Sequence, residues 1–554
     1  MKIFIFAIGG TGARVLRSLS MLMAAGVKGL NKNTQIYPLI IDYDTENGDK
    51  DRAIKCLENY SRIHELTYSD YTVNLQADAN GNADAGAANE PKDLMFRCPL
   101  YQMKGQLKGS QTTFEMNHTV QTDAKYSDII NYSGLNNDKI VTKELLRSLY
   151  NDSNEQETTE LHIDTKVGFK GNPNIGSVIL NDIINTNAYK DFESFFAAGD
   201  RIILVGSIFG GTGSSGIPVL VNHLKTNASK DAIKNAPLSV VLVTPYFNIT
   251  EPENKTEGYI NDKLFNSKTK AALNFYRDEI NSKINSIYYV GDRVASTLSH
   301  NIGRSKQKNP ANIVELLSAM SIVHFIGRTE QDIHADATMG NEWKFGMPQA
   351  VDLNKTKELF IRDFDTETRT SIFDHLTALA YAFKYTDEFV EKNPKEIKDS
   401  PFYKLLELNE IATLVNDHKK SNEVNDNLNY KGLMLTLEAL NDFYDKMKEW
   451  VDEIGSNSNG HKLSLFSFSE DFYRVIRGEE KSRKEKSIFG SEKIVPTLVK
   501  SDFDSDVVAR FSDMFVDKNT KNKLKASPYQ YMYLATLSET CKYYAGFSDK
   551  KLNQ

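Results

Sequence analysis

The chain is poor in cysteine, holding only Cys56, Cys98 and Cys541 among 554 residues. They are odd in number and far apart, and no CxxC pair or Cys/His cluster accompanies them. That argues against a disulfide framework and a thiolate zinc site, and fits a reducing compartment. A surplus of positive charge is missing too: 67 Lys and Arg face 74 Asp and Glu, for a net charge of -7. Bulk nucleic-acid binding uses a basic face, so nucleic acid is not an expected partner. No stretch approaches the roughly 20 apolar residues of a membrane span. The apolar run at residues 3–8 stops at Gly9-Gly10, too short for the apolar region of a signal peptide. The expectation is a cytoplasmic protein with no membrane span.

What the sequence does have is length and an alternating grammar. A chain this long is expected to form two or three domains. Residues 3–8 read as a buried parallel strand. Val15, Leu16, Leu19, Leu22 and Met23 then recur at helical spacing, with Gly26 as a stop. A second strand at 36–41 ends in Asp42 and Asp44. From about 46 to 165 the pattern weakens, and this stretch reads as an insertion with some helix, for instance at 142–150, and a flexible loop at 80–89. Regular order returns with a helix at 175–184, strands at 201–205, 238–243 and 287–290, and helices at about 258–280 and 312–325. This alternation predicts an α/β domain over residues 1–330, with an open, mostly parallel sheet covered on both faces. Beyond 330 the grammar changes. A helix at 366–385 and a stripe of Leu433, Leu437, Leu440, Tyr444, Met447 and Val451 predict a mainly helical C-terminal region over 331–554. The mixed-charge run at 479–486 reads as a solvated loop or helix end.

Three segments at the carboxyl ends of strands, or at the start of a helix, suit the chemistry of an anion. The first is Gly9-Gly10-Thr11-Gly12. Glycines let backbone N–H groups approach anionic oxygens, and the helix that follows adds its dipole. The second, Phe209 through Gly216, places Gly210, Gly211, Thr212, Gly213 and Ser214 between a strand and a helix, a density of glycine and hydroxyl suited to a nest of donors. It holds no lysine and does not match the P-loop pattern. The third runs from Gly168 to Gly176 through Gly171-Asn172-Pro173, a turn that opens a helix. Each alone also serves simply to turn the chain.

Taken in order, the three segments resemble the nucleotide-binding domain of the tubulin/FtsZ superfamily. There a Gly-rich loop follows the first strand, a GAGANPxxG-like loop precedes the third helix, and GGGTG[ST]G follows the fourth strand. Pro218-Val219 is similar to the FtsZ branch, and Val240 to Thr244 running into Pro245-Tyr246-Phe247-Asn248 resembles its VVTxPFxF segment. The likeness covers roughly residues 1–45 and 166–327. It departs from the family at Ala13, where Asn is usual, and at Phe209 and Ser215, where glycines are usual, which points to a divergent bacterial tubulin-like branch.

The resemblance implies GTP or GDP, with magnesium as an accompanying ion. Gly9 to Gly12, Gly171, Asn172 and Gly210 to Ser214 would hold phosphates. Glu251 would meet the ribose, Asn312 or Glu315 the base edge, and Asp42 and Asp44 would lie near the metal. It also implies self-association into filaments, with hydrolysis completed by acids of a neighbouring subunit; Asp332 and Asp336 lie at about the right distance past Asn312. Asp363, Asp365 and Glu367 form the competing set, and neither reproduces the family's NxDxxD spacing. Three functions therefore stand: a self-assembling GTPase, a nucleotide-binding scaffold with little or no hydrolysis, and a dinucleotide-binding oxidoreductase. The last uses Gly10 and Gly12 in a partial GxGxxG but leaves 210–214 without a role. The C-terminal helices are candidates for a protein partner.

Overall fold

A computed structural model describes residues 1–44, 46–74, 93–103, 114–116, 125–135, 139–150, 163, 168–169, 171–250, 265–292, 296–298, 307–339, 364–385, 428–456, 483–486, 492–495 and 529–544. Its elements begin with β1 (Lys2–Ile8), α1 (Gly9–Ala25), β2 (Gln35–Ile41), α2 (Gly48–Asn74), α3 (Ile140–Leu149), α4 (Pro173–Leu180) and α5 (Asn187–Phe195). They continue with β3 (Arg201–Ser207), α6 (Thr212–Asn222), β4 (Leu238–Val243), β5 (Phe247–Ile249), α7 (Phe265–Phe275), β6 (Ser286–Val290) and β7 (Ser296–Leu298). After α8 (Ile313–Gly327) and α9 (Glu330–Met339) come α10 (Asp374–Tyr385), α11 (Leu428–Ser456), β8 (Arg483–Lys486), β9 (Glu492–Val495) and α12 (Tyr529–Tyr544).

Five strands pair in parallel in the order β2-β1-β3-β4-β6. The chain leaves β1 for β2 on one side and builds β3, β4 and β6 on the other. The gap between the carboxyl ends of β1 and β3 is therefore the switch point of the sheet, where open α/β sheets bind ligands. Both faces are covered over β1, β2, β3 and β4, which is why these strands are near-continuous apolar runs, whereas the edge strand β6 leaves Tyr289 exposed. Phe4, Phe6 and Ile8 share one face with Leu39, Leu204, Val240 and Leu242, packed with Ile175 and Ile179 of α4, Phe192 of α5 and Leu220 of α6. Their neighbours in the strands, Ile3, Ile5, Ala7, Ile203, Val205 and Val241, point the other way and are equally buried. On that face α8 packs against β4 and β6. Each such side chain contributes about 1.5–3 kcal/mol by leaving water.

Compact unit 1 comprises Met1–Ser18, Thr34–Lys55 and Tyr101–Glu342, and holds the parallel sheet. Unit 2 comprises Leu19–Asn33, Cys56–Leu100 and Trp343–Gln554, so stretches 19–33 and 56–100 group with the second half of the chain. Within unit 2, α10 and α11 both pack on α12, Phe383 meets Tyr444 edge-on at 4.5 Å, and Met95 N donates to Ser538 Oγ. The stripe from Leu433 to Val451 is buried along α11.

Local structure departs from the sequence reading in a few places. Residues 46–165 contain a 27-residue helix, α2. Its buried positions include Ala53, Cys56, Tyr60, Thr67 and Tyr68, small or half-polar residues that blur a hydrophobic stripe. The run at 479–486 supplies strand β8, antiparallel to β9 with Glu485 opposite Lys493 and Lys486 opposite Glu492 in register. The expected loop at 80–89 and the start of the helix expected from 258 lie outside the described residues.

The turn from β1 into α1 is made by Gly9, whose φ of +72° few L side chains adopt. One turn later a Cβ on Gly12 would lie 2.7 Å from Ala7 C and 2.9 Å from Val205 O, backbone atoms of β1 and β3. Gly12→Ala should therefore lift α1 off the sheet and cost about 1–3 kcal/mol. Urea unfolding checks this, and an unchanged midpoint would show that the helix has room to spare.

Candidate functional site

Three helices start at the switch point: α1 after β1, α6 after β3, and α4 after the turn at Gly171. A helix start leaves its first amides without intrahelical acceptors and carries partial positive charge. The glycines report how closely the starts converge. A Cβ on Gly9 would lie 3.3 Å from Thr212 Cβ and 3.6 Å from Gly213 N. A Cβ on Gly211 would lie 3.1 Å from Gly171 N and 3.4 Å from Asn172 N. Segments 9–12, 171–172 and 210–214, distant in sequence, thus sit side by side at one rim. Within the third, Ser214 Oγ donates to the carbonyl of Gly210, and Ser215 Oγ to Gly211 O at 2.7 Å. A Cβ on Gly176 would collide with that Ser215 side chain, so Gly176 makes the room that a serine at 215 requires.

Beside this cradle lies a buried ionic hub that the sequence reading missed. Arg14, on the first turns of α1, donates from Nε to Glu315 Oε1 (2.5 Å), from Nη1 to Asp49 Oδ2 (2.6 Å), and from Nη2 to Tyr246 Oη (2.7 Å) and Thr11 Oγ1 (3.3 Å). Tyr246 Oη in turn donates to Glu315 Oε1 at 2.6 Å. Asp49 Oδ1 accepts from Arg52 Nη2 at 3.0 Å and from Asn309 N at 2.9 Å. Two cations and two carboxylates balance, so the hub is buried without net charge. Burial pulls the Arg14 pKa down, but Tyr246, Glu315 and Asp49 outweigh it and hold the guanidinium well above its ordinary value. Burial likewise pushes the Tyr246 phenol up.

The loop after β2 joins the rim through Asn47. Its Nδ2 lies 3.3 Å from where a Cβ on Gly10 would stand and donates to Asp42 Oδ2 at 3.0 Å. Its Oδ1 accepts from Asp49 N at 2.8 Å, capping α2. Asp44 is buried, with Oδ1 accepting from Glu46 N. Asp42 is half-buried, and burial followed by the neighbouring Asp44 pushes its carboxyl up to about 7.

Other expected residues are placed as follows. Asn312 is the N-cap of α8, its Oδ1 accepting from Val314 N at 3.0 Å. Glu315 is fully buried with both oxygens engaged inside the chain, Oε2 by Asn312 N. Asp332 is exposed at the start of α9, where Oδ2 accepts from Thr329 Oγ1 at 2.5 Å. Asp365 caps a short helical turn through Thr368. Glu251 and Asp363 lie outside the described residues, as does the side chain of Asp336. Among the described residues no group of three or more His, Cys, Asp or Glu is arranged to hold a metal ion, and no helix is long and apolar enough to cross a membrane. In comparisons with known proteins, the chain matches no family model, no curated protein and no solved structure.

Two outcomes follow from the hub and the acidic loop. Arg14→Leu leaves the carboxylates of Asp49 and Glu315 buried beside one remaining cation, and should cost about 3–5 kcal/mol in denaturant unfolding. For Asp42, the folded pKa near 7 stands above the ordinary 3.8. Between those values the folded chain keeps a proton that the unfolded chain has lost, so stability falls as pH rises and the penalty is complete above 7. Asp42→Asn should thus raise Tm by an amount that grows from pH 4 to pH 7 and then levels, about 2 kcal/mol at its fullest given the partial exposure. A constant difference across that range would remove the assignment.

Proposed function

We propose that this chain is a guanine-nucleotide-binding protein of the tubulin/FtsZ kind, which self-assembles and hydrolyses GTP. The reading rests on one observation: the glycine loops 9–12, 171–172 and 210–214 meet where three helix starts face the switch point of a parallel sheet. Amides in such an arrangement suit a polyphosphate, apart from that of Asn172, which donates to Phe169 O at 2.8 Å. Thr11 and Thr212 stand among them, the Thr11 hydroxyl accepting from Arg14 Nη2 at 3.3 Å.

Asp42 and Asp44 fit magnesium in a specific sense. Magnesium is commonly held by one or two carboxylates together with substrate phosphates and water, and an Asp42 carboxyl pushed up to about 7 gains from a nearby cation. Such an ion would neutralise charge on the phosphates. Asn312, at the mouth of α8, would meet the base, whereas Glu315 is better understood as the acid that holds Arg14. Asp332 and Asp336 on α9 would act on the nucleotide of the next subunit in a filament or oligomer. A second reading, a nucleotide-binding scaffold with little turnover, gains support from Asp332, whose carboxylate is already engaged by Thr329.

Mass spectrometry of nucleotide released from the purified protein tests the central claim, with GDP or GTP expected. Added GTP and magnesium should then give light scattering, and phosphate release that rises more steeply than protein concentration. Scattering without release would favour the scaffold. Release of ATP would correct the base, and failure of the protein to hold either nucleotide at millimolar concentration would end the proposal.

A further inference from the structure

Segments 9–12, 171–172 and 210–214 contain no lysine or arginine, Lys170 of the loop before α4 lies outside the described residues, and the hub arginine beside them is bonded to Asp49 and Glu315. A polyphosphate carries several negative charges, and helix starts supply only partial ones. The fold brings a full charge to the same place from elsewhere. Lys268 of α7 is half-buried, and its Nζ donates to Gly171 O at 2.6 Å. Gly171 is the residue whose amide nitrogen lies 3.1 Å from the position a Gly211 Cβ would take. The ammonium is therefore one peptide unit from the contact between two of the three loops.

An aromatic knot fixes it there. Phe265, one helical turn before Lys268, packs against Phe209 with ring centroids 4.8 Å apart and planes tilted by 54°. Phe209 also meets Phe247 at 5.6 Å and Tyr246 at 6.4 Å. Phe209 stands immediately before Gly210, so the first residue of the glycine loop anchors the helix that carries the lysine. Tyr246 ties the same knot to Arg14.

We infer that Lys268 is a ligand-binding residue of the cradle, placing a full positive charge beside the turn at Gly171 and discriminating nucleoside triphosphate from diphosphate. The inference rests on the nucleotide reading above. An ammonium has three donors, so it can hold the Gly171 carbonyl and a phosphate oxygen at once. That arrangement also ties the turn at 171–172 to an occupied site.

Equilibrium binding of GTP and GDP with magnesium, at two salt concentrations, tests this on the full chain and on Lys268→Met and Lys268→Arg. A charge-assisted hydrogen bond predicts that Lys268→Met weakens GTP by about ten- to a hundredfold, weakens GDP less, and lowers the salt dependence of GTP binding. Lys268→Arg should stay within about threefold, because the charge is kept. Thermal melts without nucleotide separate binding from folding: a matched Tm attributes the loss to the ligand. Equal GTP affinity in wild type and Lys268→Met overturns the lysine's role and leaves the cradle standing. A wild-type chain that binds neither nucleotide removes the cradle, and the lysine's role with it. An equal loss for GTP and GDP overturns the discrimination.

Discussion

A guanidinium buried beneath the first turn of a helix holds the rim of the sheet together. Arg14 reaches Thr11 in its own helix, Asp49 at the start of α2, Tyr246 beyond β4 and Glu315 at the start of α8. Planar geometry lets one side chain address all four at fixed angles, which a lysine could not do. Burying that charge carries a large desolvation cost, offset here by short charge-assisted bonds on both sides of the fork. Three segments from distant parts of the chain are thereby held in register with the glycine cradle. Asn312 N–H, on Glu315 Oε2, makes the mouth of α8 part of the same bonded set.

That set gives the rim a mechanical character. Asn47 links the hub to the acidic loop, since it caps α2 beside Asp49 and holds Asp42. The aromatic knot around Phe209 links it to α7. A change at the cradle therefore has bonded routes into α2, α7 and α8, each through a few named contacts. Under the proposed function, a ligand held at the cradle would be coupled to the order of these helices, because a ligand stabilises whatever geometry it binds best.

Strands β1, β2, β3 and β4 were legible because a parallel strand covered on both faces is a short apolar run that ends where the chain must turn, and the edge strand β6 because Ile287 to Val290 is a short run of β-branched and aromatic residues. The glycine loops were legible for a related reason: Gly9 and Gly12 stand where a Cβ or an ordinary φ does not fit. The hub was not. Its partners lie 35, 232 and 301 residues from Arg14, and no local pattern encodes such a meeting. One trace existed in the sequence, Arg14 and Arg17 flanking Val15 and Leu16 in an otherwise apolar helix, which call for buried partners. Lys268 left no trace of that kind, since its position depends on a ring contact between Phe265 and Phe209. Glu315 was noticed as a possible reader of a base, yet the fold spends both of its oxygens inside the chain.

The crossing of α4 and α6 shows how a departure from a familiar pattern is accommodated. Ser215 projects into space that exists only because residue 176 has no side chain. The two positions share a single volume, so the size of one sets the ceiling for the other. Related sequences should then trade bulk between them, small against large, and a chain with glycine at 215 would need only Phe169, whose Cδ2 lies 2.8 Å from a Cβ at 176, to shift before it could carry alanine there. Such paired exchange would record the helix crossing in sequences for which no coordinates exist.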